Sequence, residues 1–264
     1  MFFNTPSWSI LKSFFYKDWL IHKQSLKDNS INYGILWPMT FGFSFTVLRK
    51  NIFFASSQDA YFGSMILVGS IIVPMMVVAY FVTFDLMFDL ESRKHILFQT
   101  SIIHPRWVLL QKLVFATCYT FCICMLFFPA AKLFLGNHFI IQHQSWLQLS
   151  LFMLLATFAM CAIQQTCAAM LTINKLDNYW IRFNAVLMNM GGTFITTSPL
   201  LTAPFVGRLL FLNPVLHMTE GIRGILYSGH TSITVFTCCI YLLVIAIVSI
   251  LIGWHVFKKR VDHL

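Results

Sequence analysis

Charged side chains make up only 10% of the 264 residues, and the acidic ones number nine. No polar stretch is long enough for an appended soluble domain of roughly 100 residues. There is no Gly-x-x-x-x-Gly-Lys-Ser/Thr phosphate loop, so the chain has no means of ATP chemistry of its own. Residues 1–30 hold no short apolar core ending in a small-residue cleavage site, and no signal peptide is expected there. All seven cysteines fall inside apolar runs, which argues against a secreted disulfide framework. No histidine sits in mid-run to activate Ser44, and Gly42-Phe43-Ser44-Phe45 lacks the closing glycine of a serine-hydrolase box. The histidines lie between runs and at their ends, which is no arrangement for haem. Cys118, Cys122 and Cys124 share a helical stretch; they are read as small buried hydrophobes, with a soft-metal site as the alternative.

What the chain has is apolar surface. With 58% hydrophobic residues and a mean hydropathy of +0.75, it reads as one integral membrane domain over residues 1–264. A bilayer core takes about 20 apolar residues per helix, and six segments come near that length: 31–48, 62–84, 113–135, 147–173, 183–206 and 233–257. Ahead of them, Trp8, Leu11, Phe15 and Trp19 recur at three- and four-residue spacing beside Lys12, Lys23 and Lys27. That pattern predicts an amphipathic helix lying in the membrane interface within residues 1–30. The fold class is therefore all-α, with six transmembrane helices.

The net charge of +9 comes from basic residues at the ends of apolar runs, the mark of membrane topology and not of nucleic-acid binding. Placing both termini in the cytoplasm puts thirteen of the 18 Lys and Arg residues on that side. The other five are Arg49, Lys50, Lys132, Arg208 and Arg223. The charged island at 85–112 is then a cytoplasmic loop, longer than the few residues that usually join helices in a bundle. Its alternating charges and embedded apolar residues predict a short surface helix offering Ile96, Leu97 and Ile102 to another protein.

A second unusual stretch, at 207–230, lies on the far side. Asn213-Pro214 opens a helix there, Glu220 and Arg223 share one of its faces, and Gly229 is placed to end it. So short a helix is re-entrant, and Glu220 with Arg223 is read as an ion pair that pins it. Phe41, Phe43 and Phe45 in the first run, with Met188, Asn189 and Thr193 in the fifth, are placed either to line a substrate path or to pack ordinarily.

Taken in order, these features resemble the ABC-2 type permeases, the membrane subunits of bacterial ABC exporters. Glu91-Ser92-Arg93-Lys94-His95-Ile96-Leu97 and Pro105-Arg106 look like the family's coupling helix and the start of its third span. Asn213-Pro214 with Glu220-Gly221-Ile222-Arg223 looks like its re-entrant helix. The island departs from the family in having no Glu-x-Glu-x-Gly-Thr lead. The resemblance implies that a cytoplasmic ABC ATPase, which carries the ATP and Mg, couples through Glu91, Arg93, Ile96, Leu97 and Arg106. It also implies a homodimer in the bacterial inner membrane, exporting a drug, lipid or polysaccharide. The alternative is a stand-alone secondary carrier or channel, although such a protein would normally carry charged groups deep in several spans.

Overall fold

The computed structural model describes residues 8–44, 62–141, 145–194, 207, 209–227 and 231–263. Across these residues the chain is helical, with no β-strand among them. Helix α1 (Trp8–Asn29) passes through seven residues of wider π-helix (Ser30–Leu36) into α2 (Trp37–Gly42). The expected boundary between interfacial helix and first span is thus a change of helical pitch, not a break. It falls where Gly34 meets a neighbouring helix so closely that a Cβ there would lie 3.0 Å from the Leu126 Cβ.

Two long rods follow, each interrupted at one residue. The first is α3 (Phe62–Ser70) and α4 (Ile72–Ser92), joined at Ile71. After the short α5 (Lys94–Ile102), the second is α6 (Pro105–Met125) and α7 (Phe127–Leu135), joined at Leu126. Pro74 and Pro129 explain both interruptions, because a proline has no N–H to offer the carbonyl four residues back and its ring crowds that turn. Next come α8 (Trp146–Met170), α9 (Leu176–Tyr179), α10 (Ala185–Asn189), α11 (Pro214–Leu226) and α12 (Val235–Asp262).

Among the described residues, four helices are long and apolar enough to cross a membrane: Gly63–Ser92, Pro105–His138, Trp146–Met170 and Val235–Asp262. They contain most of the second, third, fourth and sixth expected runs. Of the first run, 45–48 lie outside the described residues. The fifth, expected as one helix over 183–206, is interrupted instead: α10 stops at Asn189, a turn follows through Gly191 and Gly192 (φ 68°), and 195–206 lie outside the described residues. Two adjacent glycines supply little to hold a helix and permit the left-handed turn.

The first rod is the centre of the bundle, with 83% of the residues in its most apolar stretch buried, against 17% in that of α12. Helix α12 therefore sits at the periphery. Its inward stripe, Cys238, Leu242, Ala246, Ser249, Gly253 and Phe257, recurs every three or four residues, while Phe236, Leu243 and Leu251 face out. Where lipid is the solvent, helices gain little from hiding apolar surface from one another, and close contact through small residues takes over. Here the Thr166 hydroxyl donates to the Ser249 carbonyl at 2.6 Å, and a Cβ on Gly253 would lie 2.7 Å from that hydroxyl oxygen.

Candidate functional site

The island at 85–112 folds as far less of a loop than its polarity implies. Helix α4 carries Asp85, Asp89 and Glu91 as its own last turns, and α6 begins at Pro105. Thirty residues of helix rise about 45 Å, against a hydrocarbon layer of about 30 Å, so the charged end of the first rod needs no apolar surroundings. Each carboxylate has a partner. Lys112 donates to Asp89 at 2.7 Å, His22 Nε2 lies 2.9 Å from Asp85, and Glu91 accepts the Ile173 amide at 2.7 Å. Glu91 thus braces the segment that follows α8.

Between the rods stands α5. The chain reverses at Arg93, whose φ of 59° is the only positive value at a non-glycine among the described residues. So sparsely populated a backbone region costs a side-chain-bearing residue roughly 1–3 kcal/mol. At the far end His104 Nδ1 accepts the Arg106 amide at 3.4 Å and Pro105 takes the first helical position, a favoured start. Ile96 does not face outward as expected. It is fully buried among Phe14, Leu86, Leu90, Ile103 and Val108. The outward apolar side chains are Leu97, Phe98 and Ile102, exposed by 43%, 63% and 44%. The Arg106 guanidinium carbon lies 5.5 Å from the Trp107 ring centre.

At the other end of the bundle α11 is buried almost throughout. At 13 residues it rises about 20 Å, too short to span. Asn213 opens it as expected: its side-chain oxygen accepts the Val215 amide at 2.9 Å and Pro214 takes the first helical position. The helix ends at Leu226, earlier than Gly229, which lies outside the described residues. Tyr227 leaves the helix and donates its hydroxyl to the Ile140 carbonyl at 2.8 Å.

Three polar side chains of this segment attend to the interrupted fifth run. Asn213 donates to the Leu187 carbonyl at 2.9 Å, Thr219 to Gly191 at 2.8 Å and Arg223 to Thr193 at 3.5 Å. Carbonyls freed where a helix breaks inside a bundle must find donors, and α11 provides them. Arg223 also donates from Nε to Met65 at 3.0 Å, and lies 3.5 Å from Glu220, whose other oxygen accepts the Ser232 amide at 2.9 Å. Gly69 makes room for this guanidinium, since a Cβ there would overlap it. Sequence reasoning found the ion pair but not its anchors. Gly191-Gly192, followed about twenty residues later by spaced donors, was the available signal.

A further polar contact joins α8 to the start of the same run. Gln164 donates to Asn184 at 3.0 Å and accepts the Tyr179 hydroxyl at 2.6 Å, all three buried. No cluster of His, Cys, Asp or Glu fit for a metal occurs among the described residues; Cys118 and Cys122 are exposed while Cys124 is buried. Of the side chains placed for a substrate path, Phe41 and Met188 are half-buried, Phe43 and Asn189 exposed and Thr193 buried. Phe45 lies outside the described residues.

Compared with known proteins, the chain matches no family model, no curated protein and no solved structure. Fold and composition define an all-helical protein, over the described residues, with four helices fit to cross a membrane. A surface helix connects two of them, and a buried polar clamp closes the opposite end.

Proposed function

We propose that the chain is the membrane subunit of an ATP-driven exporter of the ABC-2 type, and that a separate ATPase docks on the outward face of α5. The observation that carries this reading is α5 itself. A nine-residue helix is set between two spanning rods, locked to them by Ile96 and Ile103, and still presents Leu97, Phe98 and Ile102. A connection that only joined the rods would have no need of this outward apolar face.

In this reading the ATPase holds ATP and Mg and supplies the movement. A push on Leu97 and Phe98 reaches Leu86 and Leu90 through Ile96, because close-packed side chains transmit displacement. From there it runs along the first rod to Met65, where Arg223 ties the rod to Thr193. Two copies pair around the path, with both termini cytoplasmic in a bacterial inner membrane. The substrate is a hydrophobic or lipid-linked molecule, of the drug, lipid or polysaccharide kind.

The test is a pair of substitutions, Leu97→Asp and Phe98→Asp, in the tagged chain. Membrane insertion and thermal stability should match the parent, while ATPase recovered with the chain from native membranes should fall at least tenfold. Undiminished recovery would remove α5 as the docking element.

A further inference from the structure

Two apolar grooves lie side by side on the outside of the bundle, with Trp107 and Leu110 of α6 in the wall of both. The first, about 400 Å³, is lined from α6, α8 and α12. The second, about 360 Å³, is lined from α1 and α6. Small side chains give the first its depth, with Ala162 and Gly253 among its lining residues. At the second, α1 meets α6 through Asp18, which accepts from Gln111, and through Phe15, whose ring stands edge-on to Phe115 at 5.1 Å, while Trp8 is turned outward.

Each groove has an apolar wall, indole rings and one cation. Arg106 lines the first and Lys12 the second, and among the described residues no acidic side chain lines either. Asp18, on the same helix as Lys12, is turned inward, where Gln111 donates to it at 2.7 Å. Trp107 and Trp254 line the first groove, Trp8 and Trp107 the second, and tryptophan concentrates at the level of lipid headgroups. Leu110, Val114 and Leu251 continue the grooves along spanning helices as exposed apolar surface, where the surrounding medium is acyl chain.

We infer that these grooves form a binding site for an anionic glycerophospholipid of the leaflet next to α5. Its phosphate pairs with Arg106 and Lys12, and its acyl chains lie on the two sides of the Trp107–Leu110 ridge. The charge decides the occupant. Any lipid fills an apolar groove, but two cations with no carboxylate in the lining favour a headgroup of net negative charge, and basic pockets between spanning helices recognise such lipids. This site is independent of the exporter reading and survives its failure.

The test is native mass spectrometry of the full-length chain in mild detergent, titrated with phosphatidylglycerol or phosphatidylcholine of the same acyl chains. Two cations near a membrane surface predict that phosphatidylglycerol binds roughly ten- to thirtyfold tighter. The double variant Lys12→Gln, Arg106→Gln should bring the two lipids within twofold. Leu110→Trp should weaken both, and Lys132→Gln, whose ammonium donates to the Gly136 carbonyl on α7's own exit, should keep the preference. Equal affinities in the parent chain would overturn the site, as would a preference unchanged in the double variant, or phosphatidylglycerol binding indifferent to Leu110→Trp.

Discussion

Glu220 and Arg223, one helical turn apart on α11, lie 3.5 Å from each other at 1% and 0% exposure. The pair is not closed on itself. Through Met65, Thr193 and Ser232 it joins the first rod, the broken fifth run and the approach to α12. Arg223→Met removes the cation and leaves a buried carboxylate that accepts from the Ser232 amide, which should cost about 3–5 kcal/mol. Glu220→Gln keeps an acceptor for Ser232 and should cost less, about 1–3 kcal/mol. Thermal unfolding in detergent ranks the two, and an Arg223→Met chain as stable as the parent would contradict the clamp.

Gly69 is the space Arg223 occupies. A Cβ there would overlap the guanidinium and lie 2.7 Å from the Thr193 carbonyl oxygen. Gly69→Ala should therefore destabilise by about 1–3 kcal/mol through overpacking. Combined with Arg223→Met, the loss should be smaller than the sum, because one side of the clash has gone. A double-mutant cycle measures the difference; strict additivity would place the two residues in separate environments.

Ile96 and its neighbour Leu97 should part company on substitution. Ile96→Ala opens a cavity against Leu86, Leu90 and Val108 and should cost about 2–5 kcal/mol. Leu97→Asp lies on the outward face and should stay within about 0.5 kcal/mol of the parent. The melting curves of the two variants distinguish a helix with one inward face from one that is loose in solvent.

Gly253 sets the distance between α8 and α12. Gly253→Leu would drive a side chain into Thr166 and separate its hydroxyl from the Ser249 carbonyl. The expected result is a loss of roughly 1–3 kcal/mol, read as a lower unfolding temperature, with Thr166→Ala causing a smaller drop.

Much of this architecture was legible in the residues. The apolar runs located the four long helices, and Asn213-Pro214 marked the start of α11 because an Asx cap and a proline at the first position act locally. The phase of α5 was not legible. Ile96, Leu97, Phe98, Ile102 and Ile103 are all apolar, so no polar face marks the orientation, and the Arg93 backbone turn sets it. The reach of the helices past the apolar runs was hidden too, since Asp85 and Asp89 find His22 and Lys112 only across the fold. The same holds for Arg223: its contact with Glu220 is a matter of helical spacing, whereas Met65 and Thr193 come to it from segments distant in sequence.

Purification of the tagged chain from native membranes in mild detergent tests most directly the proposal that α5 docks a separate ATPase. The expected result is a phosphate-loop ATPase in equal amount, ATP hydrolysis in the eluate, and a complex holding two copies of each. The chain recovered alone from repeated mild preparations, with no ATP hydrolysis, would contradict it.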